Sequence, residues 1–143
     1  MATVTFFGHR DAPKRIEPIL RLALVDLIEK KNSNLFYVGN QGNFDAMVRR
    51  QLEDLAQTYP ITYKIVLAYM PGKNDEPDEH TVLPEGLETV PRRFAISRRN
   101  KWMLDQADTV VTYVTHPSSG AYKIKETAIE KGKTAIELSI RTE

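Results

Sequence analysis

Three short stretches hold the residues best suited to chemistry. Gly8-His9-Arg10 sets a flexible backbone, an imidazole and a guanidinium in succession, and the arginine fork of donors matches a phosphate or a carboxylate. The same residues also read as a turn glycine, a histidine bonded to a neighbouring loop and an arginine paired with Asp11. Gly39-Asn40-Gln41-Gly42-Asn43-Phe44-Asp45 mixes two glycines with short polar residues. That composition lets backbone N–H groups face an anion at a helix N-terminus, although it is not the GxGxxG pattern. Asp45 is placed to bind a ribose hydroxyl, or simply to sit where the helix dipole favours an acid. In Pro117-Ser118-Ser119-Gly120-Ala121 two hydroxyls and a glycine precede a helix, which makes it the best phosphate cradle in the chain. Either serine also reads as an N-cap, and the two roles are compatible.

A basic cluster, Arg92, Arg93, Arg98, Arg99 and Lys101, opens a further helical stretch. Cations in a first turn oppose the macrodipole, so acids or a bound anion are expected to offset them. The run Asp75, Glu76, Asp78 and Glu79 is the obvious intramolecular partner. Trp102 reads as a packing residue. His9, His80 and His116 show no paired ligand spacing, so no metal is expected, and no GxSxG elbow anchors a hydrolytic triad.

The elements that must position these residues alternate. Thr3 to Phe7, Leu35 to Val38, Ile61 to Met70, Thr109 to Thr115 and Thr134 to Leu138 read as five strands. Between them, apolar residues at helical spacing predict helices over Lys14 to Lys31, from Phe44 to Ala56 with Asn43 as N-cap, over Phe94 to Ala107, and over Ser119 to Lys131 with Gly132 at the C′ position. Residues 71–93, with Pro71, Pro77 and Pro84, form a long excursion that Val82, Leu83, Leu87 and Val90 tie to the body. Alternation of this kind predicts an α/β fold, a Rossmann-like three-layer sandwich whose five-stranded parallel sheet has the order 3-2-1-4-5. Ligands of such sheets bind where the order reverses, beyond the carboxyl ends of the first and fourth strands. Gly8 to Pro13 and His116 to Gly120 occupy that place.

The whole composition fits one domain over 143 residues, with 41% hydrophobic residues to build a core. The 20 Lys and Arg against 19 Asp and Glu leave a net charge of +1, too little to draw the chain to nucleic acid or to an anionic membrane. The absence of cysteine excludes disulfides, Cys-ligated metal and thiol catalysis. No apolar run approaches a membrane span and no signal-like segment opens the chain, so the expected location is the cytoplasm.

The ordered set Phe6-Phe7-Gly8-His9-Arg10, Gly39 to Asp45, Leu87 to Pro91, Phe94-Ala95-Ile96, Arg99 to Met103 and Ser119 to Lys123 resembles the SLOG superfamily. This Rossmann-like group is named for the DNA-processing protein Smf and the plant Lonely Guy protein, and the matching branch looks like its YpsA-related bacterial and phage proteins. The resemblance implies a nucleotide or nucleotide-derived ligand, an ADP-ribose-type signal among the candidates. Its expected contacts are Gly8, His9, Arg10, Gly39, Asn40, Gln41, Gly42, Asp45, Arg99, Asn100, Ser118, Ser119, Gly120 and Ala121. No cofactor is expected, and a homodimer is implied by likeness to related folds. Lonely Guy enzymes release a base from a nucleoside monophosphate through an arginine before the fourth strand and a PGGxGTxxE loop after it. Arg99 is similar to that arginine, but here the loop runs Pro117 to Ile124, with serines for the glycine pair and Ile124 near the expected glutamate. An apolar side chain neither handles a proton nor stabilises oxocarbenium charge. The expectation is therefore a binding module, with N-glycosidic hydrolysis as the alternative and a DNA-associated role as a third.

Overall fold

A strand buried on both faces is mostly apolar, and Val4, Phe6 and Phe7 lie out of solvent in β1 (Ala2–Gly8) together with Thr5, whose hydroxyl donates to the Tyr37 carbonyl. The computed structural model describes residues 2–69, 79–115 and 120–139. β1 is followed by a 3-10 turn and α1 (Glu17–Lys30), then β2 (Ser33–Val38), α2 (Gly42–Leu55), β3 (Thr62–Val66) and β4 (Thr81–Val82). A second 3-10 turn leads into α3 (Arg92–Gln106), β5 (Thr109–Tyr113), α4 (Gly120–Glu130) and β6 (Thr134–Glu137). All strand pairs are parallel and the sheet order is β4-β3-β2-β1-β5-β6.

The α/β class and the internal strand order agree with the sequence reading, but the sheet has six strands where five are expected. The additional one is β4. The Ile65 N–H donates to the His80 carbonyl at 2.6 Å and the Leu67 N–H to Val82 at 2.8 Å, which stitches it to the edge of β3. Two residues inside a proline-rich excursion are too few for any periodicity to register. Other boundaries shift as well: β3 ends at Val66, β5 ends at Tyr113, α3 starts at Arg92, and the 3-10 turn Lys14–Ile16 precedes α1. Asn43 is not the cap of α2, because the helix begins two residues earlier, at Gly42, with Gln41 in the N-cap position.

Period-two alternation divides the core. Phe6 faces α1 and α2, where Leu20, Leu24, Met47, Val48 and Leu52 pack with Phe36 and Val38. Phe7 faces α3 and α4, in a smaller cluster with Val66, Met103, Leu104, Val110 and Ala128. Trp102 joins that cluster from α3 and meets Tyr37 edge-on at 5.1 Å. Its packing role is therefore as expected. Across the first face, Glu17 pairs with Arg50 at 2.9 Å and Arg21 with Asp54 at 2.7 Å, which link α1 to α2. Among the described residues no helix is long and apolar enough to cross a membrane.

Two leucines of α1 separate burial from helix propensity. Leu24 is fully buried, whereas Leu22 is 73% exposed. Leu24→Ala is expected to cost about 2–5 kcal/mol in urea unfolding, and Leu22→Ala to stay within about 0.5 kcal/mol of the parent. Equal losses would contradict the assignment of the α1 inner face.

Candidate functional site

At the carboxyl ends of β1 and β5, a cavity of about 720 Å³ opens between the sheet and the pair α3 and α4. Of the residues expected at the site, Gly8, His9, Arg10, Gln41, Asp45, Arg99, Asn100 and Gly120 line it. Gly39 and Asn40 lie in the β2–α2 turn and Gly42 opens α2, outside the lining. Ala121 lies in the first turn of α4, and Ser118 and Ser119 lie outside the described residues.

Close packing makes this crest. A Cβ on Gly8 would fall 2.4 Å from the Phe44 ring, so the end of β1 is pressed against α2. At Gly42, φ is +85° and a Cβ would approach the Arg10 Cα to 2.6 Å. Only glycine suits that left-handed backbone under a neighbouring chain. The reward for the approach is a 2.7 Å hydrogen bond from the Asn43 N–H to the Arg10 carbonyl. His9 secures the other side: its Nε2 accepts from the Thr115 N–H at 2.8 Å, and its ring meets Tyr113 edge-on. The loop after β1 is thus fastened to the loops after β2 and β5.

Two buried charged groups stand at the cavity floor. Arg99 is 3% exposed; its Nε donates to the Asn100 Oδ1 at 3.1 Å and its Nη1 to the Asn40 Oδ1 at 3.2 Å. Asp45 is 8% exposed, and its Oδ2 accepts the Gln41 N–H at 3.0 Å. This bond is the backward-reaching half of a capping box, displaced by one residue. Both charges converge on Gly39, where a Cβ would lie 2.7 Å from the Asp45 Oδ2 and 3.0 Å from the Arg99 Cζ. Burial pushes the Asp45 carboxyl above its ordinary value, against the Gln41 hydrogen bond and the charges of Arg99 and Arg49. Burial likewise holds the Arg99 guanidinium below its own ordinary value, opposed by Asp45 and Tyr69. The pairing does not fully offset the desolvation of either group.

The N–H groups of the Gly39 to Asp45 turn were expected to face an anion. Two of them, on Gln41 and Asn43, are instead committed to Asp45 and to the Arg10 carbonyl. The turn serves as a seat for Arg99. The basic cluster also disperses around α3: Arg92 lies over the Tyr69 ring at 4.2 Å and Arg93 over Phe94 at 4.8 Å. Arg98 and Lys101 line a second cleft of about 370 Å³ with Trp102 and Asp105. The expected acidic partner run falls on Asp75, Glu76 and Asp78, outside the described residues, and on Glu79, which neighbours the His80 Nε2 at 3.5 Å.

The sequence reading missed one wall of the cavity. Lys123 and Thr127 line it from successive turns of α4 and Lys131 from just beyond the helix, beside Ile124. Their spacing of four was visible in the sequence, but attention to apolar periodicity passed over a polar stripe. Ile96, Met103 and Leu104 supply the apolar side from α3. The charged lining consists of Arg10, Arg99, Lys101, Lys123 and Lys131 against one carboxylate, Asp45. Lys131 is also paired with Asp105 at 3.1 Å. Glu126 is exposed, hydrogen-bonds with Tyr122 and is not part of the lining. Among the described residues no group of three or more His, Asp or Glu could hold a metal ion. The chain matches no protein-family model and no curated protein.

Two outcomes test this geometry. Gly42→Ala combines a left-handed backbone with a clash against Arg10 and is expected to cost about 1–3 kcal/mol by thermal unfolding; parent-like stability would dismiss the loop lock. Asp45 governs a pH effect. Because its folded pKa is raised above the ordinary 3.8, its favourable contribution is fully present below the unfolded value and is lost as pH rises through the folded one. Asp45→Asn should therefore flatten that part of the urea-midpoint profile between acid and neutral pH, and an unaltered profile would contradict the assignment.

Proposed function

We propose that this chain is a binding module for a nucleotide or nucleotide-derived ligand, such as an ADP-ribose-type signal, and acts as a sensor or sequestering protein of SLOG type. One observation carries the reading: the switch-point cavity collects cations around a buried arginine while its only described carboxylate is engaged in holding the adjoining turn. A cavity of about 720 Å³ is within the roughly 300–1,000 Å³ common for small-molecule sites. Its two walls differ in kind. Arg10, Arg99 and Lys123 suit phosphate groups, whereas Ile96, Met103 and Ile124 offer apolar contact to a base. The cytoplasmic location and the homodimer belong to the same proposal and rest on the sequence and the resemblance.

A second reading, N-glycosidic hydrolysis of a nucleoside monophosphate, draws on Asp45, whose raised pKa is the kind of perturbation a catalytic acid needs. Against it stands Ile124 in the cavity where the resemblance leads one to expect a glutamate.

Native mass spectrometry of freshly purified protein, followed by denaturation, would reveal a co-purified ligand by its mass. Calorimetry with AMP and ADP-ribose should then show binding that Arg10→Glu weakens by about 1.5 kcal/mol or more, since a hydrogen bond to a charged group is lost. The melting temperature should change little, because Arg10 is exposed. Undiminished affinity would remove Arg10 from the site. Chromatography after prolonged incubation should show no free base, and protein-dependent base release would favour the hydrolase.

A further inference from the structure

We infer that Asp45 is a built-in counter-charge to Arg99, a positioning residue that holds the arginine at the cavity floor and competes with the incoming anion for it. The inference rests on the anion-site reading above and concerns what sets affinity there. Three observations support it. Asp45 and Arg99 are both buried and both crowd the place where a Cβ on Gly39 would stand. Asp45 spends one oxygen on the Gln41 N–H at 3.0 Å, which fixes the turn carrying Asn40, and Asn40 in turn accepts from Arg99 at 3.2 Å. Asp45 is also the only carboxylate among the described lining residues, so it is the group that a bound phosphate would meet as a like charge.

An arginine buried alone at the floor would carry the full cost of desolvation. A carboxylate beside it offsets part of that cost in the ligand-free protein and repels a second anion when one arrives. Asp45 thereby lowers affinity while keeping Arg99 in place. Its surroundings are mixed: Arg99 faces it from α3 and Arg49 from its own helix, Tyr69 acts on Arg99 from beyond β3, and His9 and Arg10 line the cavity from the loop after β1. Asparagine at this position keeps the shape and the acceptor for the Gln41 N–H, yet removes the charge.

The test is calorimetry of the wild type and Asp45→Asn with inorganic pyrophosphate and AMP, with uncharged adenosine as the comparator. Asp45→Asn is expected to tighten both anions by at least about threefold and to leave adenosine unchanged. AMP binding by the wild type that is equal or weaker in Asp45→Asn would overturn the counter-charge role and leave the binding-module reading intact; it is the result expected of a direct contact from Asp45 to the ligand. Failure of both proteins to bind pyrophosphate and AMP would overturn both. A measurement on the wild type needs no variant to fold. Coupling is reciprocal, so pyrophosphate must raise the Asp45 pKa, read from its carboxyl carbon resonance by NMR, and an unmoved titration with pyrophosphate bound would overturn the inference.

Discussion

Gly39 permits a buried carboxylate and a buried guanidinium to lie against one α-carbon, and the crest of the molecule is assembled around that approach. A methyl group there would push Asp45 or Arg99 out of position. Asp45 would lose its hold on the Gln41 N–H, and Arg99 its bond to Asn40. Each of these contacts ties a different element to the turn after β2: α2 through Asp45 and α3 through Arg99. The remaining links follow the same scheme. Gly8 brings β1 onto Phe44, and Gly42 brings the Arg10 carbonyl onto α2. Three absent side chains allow four elements to meet at one end of the sheet.

The two faces of the sheet differ in how completely they are filled. The α1 and α2 side buries a large aliphatic and aromatic cluster, whereas the α3 and α4 side has a smaller one. Between α3 and α4 the sheet is reached by the cavity, whose lining includes Phe7 and Leu104. Burial on the first face supplies most of the hydrophobic stabilisation. That allows the second to devote part of its inner surface to Lys123, Thr127 and Lys131, residues that contribute little to a core.

Alternation of strand and helix, the strand order around β1 and the crest position of Gly8, His9, Arg10 and Gly120 were legible because they depend on local periodicity and on a topological rule. What escaped depends on partners far away in the chain. β4 exists only because β3 offers an open edge. The start of α2 moves to Gly42 because the Arg10 carbonyl meets the Asn43 N–H from another loop. For the same reason a glycine-rich turn that resembles an anion cradle proves to have two of its amides occupied. Arg99 drew notice through a resemblance and a charge cluster, but nothing in its neighbours marks it as the buried member among exposed Arg92, Arg93 and Arg98.

Commitment of groups to the scaffold also bears on what chemistry this crest can perform. A catalytic carboxylate must exchange its proton with a substrate, and its hydrogen bonds must tolerate both protonation states. Asp45 accepts a backbone N–H that has no other described partner and faces a buried guanidinium. Protonating it would weaken the acceptor of the turn and leave Arg99 without its counter-charge. Burial eases the proton onto the carboxyl, but any exchange of that proton disturbs the very contacts that shape the cavity. A site so arranged favours binding over turnover, and an anion bound beside Arg99 gains because the guanidinium needs no reorganisation to receive it.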